Sequence, residues 1–369
     1  MVAILVFILI LSILVLLHEL GHFIAAKRAG IGVEEFGLGL PPRIWGKKIK
    51  ETIYSVNWLP FGGFVRLVGE DPLDRRVNDK NSFYSKSIFE RSKVVVAGVF
   101  ANFILAVVIF YVVIFALGFK VSIPLLLEHK FKFVNQTRQV FVVDISQNSA
   151  AEKAGIKNGE SIVAIDDQQV SSIGQLQNII RSSQDKKLTM ILENPVNNQK
   201  RTVEATPVYN ESLKGAALGV GLGELVVLNY QSLPQKILAG FIHSYNTTDY
   251  SIKVFGELIS FAVKERTIKP VSEGVSGPIG IAQITSQAVS LGAVSVLQLM
   301  GLLSLNLAII NILPIPALDG GRFFFILIEA VTRKRIYPQV EKWVHTVGFA
   351  VLLGLILLVT YNDILKWLR

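Results

Sequence analysis

The chain has 369 residues, of which 51% are hydrophobic and 18% charged, so it is too apolar for an ordinary soluble protein and a membrane protein is favoured. It contains no cysteine, which excludes disulfide bonds, a thiolate nucleophile and cysteine metal ligands, and leaves His, Asp and Glu to hold any metal ion. The net charge of +9 could suit nucleic acid, but the basic residues lie beside apolar runs, where they indicate membrane topology.

Four apolar stretches are long enough to cross the roughly 30 Å hydrocarbon core of a bilayer. We therefore predict a multi-pass α-helical membrane protein with four transmembrane helices, membrane-associated β-hairpins and an inserted β-rich domain. The predicted segments are a first span at 1–24, a cytoplasmic or re-entrant hairpin region at 25–92, a second span at 93–119, an extracytoplasmic β-rich domain at 120–210, an extracytoplasmic amphipathic-helix region at 211–291, a third span at 292–321, a cytoplasmic loop at 322–342 and a fourth span at 343–364.

The first apolar stretch is similar to the core of a signal peptide. It has no basic residue before it and no small-residue cleavage site, and it continues past His18, so we expect a permanent span. Basic residues follow it, beginning with Lys27 and Arg28, and the positive-inside rule therefore places its C-terminal end in the cytoplasm. The N-terminus and the inserted domain are then expected outside.

The region between the first two spans carries turn signals at Gly37-Leu38-Gly39, at Pro41-Pro42 and at residues 59–64. These signals predict short apolar strands joined by turns. The strands could form a small cytoplasmic cap. They could equally form a hairpin that dips into the membrane where protein or a water-filled cavity satisfies its backbone, and hydropathy does not separate the two.

The inserted domain contains a glycine-rich turn, Ala154-Gly155 followed by Gly159-Glu160 and Ile162. Strand-like and helical segments around this turn are similar in order to PDZ domains of the bacterial protease type, in which Asp stands where this chain has Glu160. Another small β-domain with a similar turn remains an alternative.

Residues 234–264 have apolar positions at helical spacing but also several charges, which disfavours a span. They predict an amphipathic helix that lies on the outer membrane surface or against the β-rich domain. A soluble helix of that domain is the other reading.

The end of the first span reads His18-Glu19-Leu20-Gly21-His22, a His-Glu-x-x-His motif. Residues four apart share a helix face, so both imidazoles can reach one metal ion while Glu19 contacts a metal-bound water. Ionisable residues in a membrane segment are costly and usually functional. The alternative is that the span merely ends here, with its polar residues among the lipid headgroups.

A zinc hydrolase also needs a third protein ligand and an open position for water. Asp319 follows Pro314 and Pro316, which interrupt the third span, and the predicted topology brings it to the same side as His18 and His22. An ordinary turn or helix-cap carboxylate is the competing role for an aspartate before glycine.

Together these residues resemble the site-2 protease family, in particular its bacterial branch, peptidase family M50, with a single PDZ domain. The resemblance implies that Asp319 completes a Zn²⁺ site, that Asn306 and Asn311 hold the substrate backbone, and that the hairpins clamp the substrate as an added strand. The second span departs from the family, with Val99 in place of a proline. The matching segments are the His-Glu-x-x-His helix, Phe36-Gly37-Leu38-Gly39, Pro60-Phe61-Gly62-Gly63, Gly98 through Asn102-Phe103, the PDZ signature, Ser276-Gly277-Pro278-Ile279, and Asn311 through Gly321.

The resemblance implies a zinc metalloendopeptidase of the bacterial cytoplasmic membrane, with Glu19 as general base. Its expected substrates are single-span membrane proteins, such as anti-sigma factors or signal-peptide remnants, and its PDZ domain would contact the substrate or a regulatory chain end. Membrane lipid is an expected partner and nucleic acid is not. A non-catalytic scaffold and a metal transporter are the alternatives, disfavoured by the intact Glu19 and by a single cluster of intramembrane ionisable residues.

Overall fold

The computed structural model describes residues 2–71, 75–194, 199–267 and 276–368. The gaps remove short parts of the predicted hairpin region, β-rich domain and amphipathic-helix region from the described residues. The chain divides into a helical unit, residues 1–113 with 243–369, and a β unit, residues 114–242.

The long helices lie mainly in the helical unit, and the β unit contains short helices. In chain order they are α1 (Val2–Arg28), α2 (Ile88–Ala116), α3 (Ala150–Lys153), α4 (Ile173–Ser182), α5 (Leu233–Ile237), α6 (Ala239–Lys264), α7 (Pro278–Leu291), α8 (Ala293–Ile312), α9 (Asp319–Thr332) and α10 (Pro338–Leu368), with a 3-10 turn at Phe83–Ser85.

The strands form one long hairpin in the helical unit and the sheets of the β unit. They are β1 (Val33–Ile49), β2 (Thr52–Leu67), β3 (Lys120–Leu125), β4 (Asn135–Ile145), β5 (Ser161–Ile165), β6 (Gln168–Gln169), β7 (Leu188–Glu193), β8 (Lys200–Ala205), β9 (Val208–Asn210), β10 (Gly215–Ala217) and β11 (Val220–Asn229).

Within the described residues, four helices are long and apolar enough to cross a membrane, namely α1, α2, α8 and most of α10. At 1.5 Å per residue, the 20 residues of α8 reach about 30 Å, the thickness of a hydrocarbon core. Each helix satisfies its own backbone hydrogen bonds, which a spanning segment requires. The predicted bounds are shifted outward by a few residues, because α1 continues to residue 28, α2 begins at residue 88 and α10 begins at residue 338.

The predicted end of the third span at residue 321 is wrong. Helix α8 ends at Ile312, since Pro314 and Pro316 lack the N–H that a continuing helix needs and disfavour helical conformation in the residues before them. A separate helix, α9, then begins at Asp319 and occupies much of the predicted cytoplasmic loop. The basic residues near both ends of this segment indicate a loop in the sequence, although its middle is apolar.

Helix α7 is a further correction, because residues 278–291 were assigned to an amphipathic surface region. Pro278 starts the helix, where a missing N–H costs nothing. The helix contacts α1 and α8 within the helical unit. The Gly280 N–H also donates to Oδ2 of buried Asp363 of α10 at 2.8 Å. The helix predicted over 234–264 is present as α5 and α6.

Strands β1 and β2 form one long antiparallel hairpin rather than several short ones. Its ladder runs from Val33 opposite Leu67 to Ile49 opposite Thr52, with register shifts at several points along the way. Such irregularities bend a strand pair and increase its twist. The hairpin contacts α1, where Ser12 Oγ donates to the carbonyl of Pro60 at 2.8 Å.

The β unit is built on an antiparallel sheet with strand order β3-β11-β4-β5-β7-β8, and β6 pairs with β5. Its core contains fully buried Val140, Ile162, Leu176 and Met190, which come from strands and from α4. The strand-like and helical segments predicted around the glycine-rich turn are present as β5, α4, β7 and β8. The predicted domain end at 210 is too early, because β11 lies between β3 and β4. Glycines at two of its first four positions weaken the strand pattern, and its partners lie 75 to 109 residues back in the chain.

Candidate metal centre

The first two candidate ligands come from one face of α1. This helix continues without a break through His18 and His22, so the four-residue spacing brings their imidazoles together. Their Nε2 atoms are 3.2 Å apart and their ring centroids 4.8 Å apart, with the rings nearly perpendicular. Both side chains are largely buried. The helix therefore presents two nitrogen donors to a single point.

The third candidate ligand comes from the turn between α8 and α9. Asp319 is the first residue of α9, where the positive end of the helix dipole favours a carboxylate. The turn folds back onto the start of this helix so closely that an added Cβ at Gly320 would lie 2.0 Å from the Leu313 carbonyl oxygen, and one at Gly321 would lie 2.5 Å from that of Ile315. The glycine pair therefore makes this approach of Asp319 sterically possible.

Helix α10 supports the same turn from the other side. The Ala317 N–H donates to Nδ1 of His345 at 2.9 Å. Gly348 lies so close to Pro316 that an added Cβ would be 2.3 Å from the proline Cβ. These contacts from α10 fix the backbone two to three residues before Asp319.

The three donors have the spacing of a zinc site. Asp319 Oδ2 lies 3.0 Å from His18 Nε2 and 3.2 Å from His22 Nε2. Four ligands arranged tetrahedrally at about 2.0–2.1 Å from zinc are separated by about 3.3 Å, so the three atoms fit three corners of such a site. The donor set is therefore suited to Zn²⁺.

His22 is oriented by the backbone of α2. Its Nδ1 lies 2.8 Å from the carbonyl oxygen of Val94. A carbonyl only accepts, so Nδ1 carries the proton and the lone pair of the neutral ring is on Nε2. This is the nitrogen that faces Asp319.

Gly98 of α2 lies directly against both imidazoles. An added Cβ would be 2.3 Å from His22 Nε2 and 2.8 Å from His18 Cε1, well inside contact distance. Gly21 allows the matching approach on α1, since a Cβ there would be 2.4 Å from the carbonyl oxygen of Ala97. Gly98 belongs to a segment that resembles the family, but its sequence indicates no role for it, because the space it leaves for side chains of another helix produces no local pattern.

A cavity of about 160 Å³ opens beside the three donors, and Glu19 lines it together with them. Glu70 and Arg322 line the same cavity and form an ion pair with each other. No local sequence pattern indicates this pair, which joins residues 252 positions apart. The cavity thus holds a carboxylate that can serve as base next to the donor set, with room for water.

The hairpin glycines are only partly at this site. Gly63 is the nearest, because an added Cβ there would lie 3.7 Å from Glu19 Cγ, and the following residues of β2 line the cavity. Gly37 pairs with Phe64, the residue after Gly63, and its carbonyl oxygen would lie 2.9 Å from a Cβ added at Gly63. Gly39 and Gly62 have φ of +81° and +85°, a backbone conformation that favours glycine. Glycine is therefore needed at these two positions for the path of the backbone.

Asn306 and Asn311 of α8 do not line the cavity beside the donors. Asn306 Oδ1 is buried and has no hydrogen-bond partner among the described residues, so it can accept a hydrogen bond from a ligand. Asn311 is half-buried near the end of α8. Their predicted role in holding substrate stays a prediction.

Comparison with known proteins covers nearly the whole chain. The model of peptidase family M50 matches residues 6–355. A Clostridium perfringens protein provisionally named as a zinc metalloprotease is 36% identical over 362 residues, covering 96% of each chain. The zinc metalloprotease RasP of Geobacillus kaustophilus is 29% identical, covering 98% of this chain and 97% of its own. The Bacillus subtilis protein named regulator of sigma-W protease RasP is 28% identical, covering 97% of each.

Among solved structures, the PDZ domain of an SdrC-like protein from Listeria monocytogenes covers 26% of this chain and 93% of its own, with 12% identity. The TM-score is 0.21, which is too low to show a shared fold. The description of the β unit therefore depends on its own strands.

Proposed function

Because the chain belongs to peptidase family M50 and is a zinc metalloprotease, we propose that it works inside the membrane, hydrolysing peptide bonds within transmembrane segments of other membrane proteins. One observation carries this proposal. His18 and His22, whose Nε2 atoms lie 3.0 and 3.2 Å from Asp319 Oδ2, belong to a helix that is long and apolar enough to span a bilayer. Ionisable side chains in such a helix are costly and are retained for function.

We assign the zinc ligands as His18 Nε2, His22 Nε2 and Asp319 Oδ2, which leaves one position for water or substrate. Zinc held by these three residues would make a water molecule more acidic and would polarise the scissile carbonyl. Glu19 takes the proton that the attacking water loses and returns it to the nitrogen of the departing amine. Its place in the cavity beside the donors supports this role.

The substrate must expose a peptide carbonyl, so its helix has to unwind locally before it is cut. The β1–β2 hairpin is a two-stranded sheet, and the end of β2 lines the cavity beside Glu19. An extended substrate segment can pair with a free strand edge through backbone hydrogen bonds. The unpartnered Oδ1 of Asn306 offers a further acceptor for the freed backbone. We assign substrate contact to this hairpin, with its glycines, and to Asn306 and Asn311.

The proposed setting is the bacterial cytoplasmic membrane, with four spans, the N-terminus and the β unit outside, and the metal centre near the cytoplasmic side. The basic residues after the first span support this orientation. The β unit would act as a PDZ domain that contacts the substrate or a regulatory chain end. We propose single-span membrane proteins that regulate a sigma factor as one substrate class, which the sigma-W regulator name of the Bacillus subtilis relative supports only in its link to a sigma factor, and signal-peptide remnants as the other class.

The direct test is cleavage of a purified single-span reporter by the detergent-purified protein. We expect cleavage inside the reporter's transmembrane segment, located by mass spectrometry, with loss of activity on chelation and recovery on adding zinc. The matched control is the same reporter with its span replaced by a soluble linker. Cleavage of the soluble control with no cleavage of the spanning reporter would contradict the intramembrane proposal while leaving the metalloprotease assignment intact.

A further inference from the structure

We propose that Asn102 of α2 is a positioning residue for His18: its amide oxygen accepts the Nδ1–H of His18 and so directs the Nε2 lone pair to the metal. Asn102 is completely buried, and its amide nitrogen is 3.5 Å from His18 Nδ1. This inference rests on the proposed role of His18 as a zinc ligand and adds a residue that holds the ligand in its working form.

A neutral imidazole carries one proton, so a metal bound at Nε2 requires the proton at Nδ1 and an acceptor to receive it. His22 has such an acceptor in the Val94 carbonyl, 2.8 Å from its Nδ1. His18 needs an equivalent partner. The group in contact with its Nδ1 is the Asn102 amide.

The two ends of that amide have opposite chemistry. An NH₂ group that faces Nδ1 can only donate, which would move the imidazole proton to Nε2, where it blocks metal binding. The amide oxygen, Oδ1, is buried and has no hydrogen-bond partner among the described residues. A half-turn about the Cβ–Cγ bond exchanges the two atoms, giving Oδ1 a donor and giving His18 the acceptor it needs. This rotation therefore pairs Oδ1 with a donor and leaves the Nε2 lone pair of His18 free for the metal.

The surrounding contacts hold Asn102 where this bond can form. Its backbone carbonyl accepts a hydrogen bond from Ser304 Oγ of α8 at 2.8 Å, and Ser304 is also completely buried. Val94, Gly98 and Asn102 follow one another at intervals of four and therefore share a face of α2. That face provides the partner of His22, the clearance for both rings and the partner of His18.

The test is zinc affinity of the full-length, detergent-purified protein, measured by competition with a chromophoric chelator. Asn102→Leu is close in size but has no acceptor, and we expect it to bind zinc about 10- to 100-fold more weakly. Asn102→Asp keeps an acceptor oxygen, and we expect its affinity to stay within about threefold of wild type. Gly354→Ala is the control, because it changes a residue of α10 where an added Cβ meets nothing within 4 Å; it too should stay within about threefold.

Wild-type zinc affinity in Asn102→Leu would overturn the proposal, and so would an Asn102→Asp variant as weak as Asn102→Leu. If the leucine variant does not fold, Asn102→Ala replaces it, since alanine adds no bulk, and the same two outcomes apply. His18→Ala separates this inference from its premise. Undiminished zinc binding in His18→Ala would overturn both the ligand assignment and the role of Asn102, whereas weak binding in His18→Ala with normal binding in Asn102→Leu overturns the role of Asn102 alone.

Discussion

Adding a single methyl group at Gly98 should disable the metal centre without disturbing the fold of α2. The new Cβ would be 2.3 Å from His22 Nε2, and real Cβ contacts are at least 3.0 Å, so that nitrogen must move by at least 0.7 Å, the difference between the two. Metal–ligand distances tolerate only about 0.2 Å. The imidazole can swing aside, but it then leaves the donor set, and we expect zinc binding to weaken roughly 100-fold.

The assay is zinc competition on purified Gly98→Ala, with reporter cleavage measured alongside. Gly354→Ala is the matched control, because Gly354 lies in the apolar helix α10 and an added Cβ there meets nothing within 4 Å. Alanine is favoured over glycine in a helix by about 1 kcal/mol, so helix propensity alone would make Gly98→Ala more stable. A loss of zinc binding in this variant therefore does not come from weaker helix formation. Wild-type zinc affinity and activity in Gly98→Ala would refute the packing that brings α2 against the two imidazoles.

Two further predictions concern the third ligand and the β unit. Wild-type protein should hold about one zinc per chain, and Asp319→Ala should lose most of it because two imidazoles hold the ion poorly; elemental analysis showing full occupancy would point to another third ligand. In the β unit, Arg201 donates two hydrogen bonds to the Glu160 carboxylate and holds the pKa of Glu160 below its ordinary value. The ion pair therefore stabilises the folded chain at pH values above the ordinary Glu pKa. This stabilisation is lost as the pH falls through the folded-state pKa. Arg201→Gln should therefore lower the free energy of unfolding by about 1 kcal/mol near pH 7 and by less near pH 2. Thermal unfolding of the full chain measures this, and equal losses of stability at both pH values would contradict the prediction.

The parts of the site that sequence could predict depend on local spacing and on gross topology. His18, Glu19 and His22 lie within two turns of one helix, so their common face follows from the helical repeat alone. Asp319 is about 300 residues away, but two predicted spans lie between it and the histidines, and an even number of spans returns the chain to the same side of the membrane, which was enough to pair them. The structure brings these side chains to the distances that the proposed chemistry needs.

The parts that sequence missed depend on tertiary packing. Gly98 and Asn102 act on imidazoles of another helix, which no periodicity in α2 reports. Strand β11 was missed because pairing with strands far back in the chain, rather than its own glycine-interrupted pattern, makes it a strand. Helix α9 lies where the sequence predicts a cytoplasmic loop, because the basic residues near its ends indicate a loop although its middle is apolar. In each case the conformation or role of the segment depends on the element that packs against it, and not on its own sequence alone.

The central claim, that this chain is a catalyst whose base is Glu19, is tested most directly by Glu19→Gln. Glutamine keeps the size of the side chain and leaves the zinc donors in place, but it cannot accept the proton of the attacking water. We expect zinc content to match wild type and reporter cleavage to fall by about 10²- to 10⁴-fold, the usual contribution of a positioned general base. Zinc-loaded Glu19→Gln that still cleaves the reporter at more than about a tenth of the wild-type rate would contradict the account, because such a loss falls below that range.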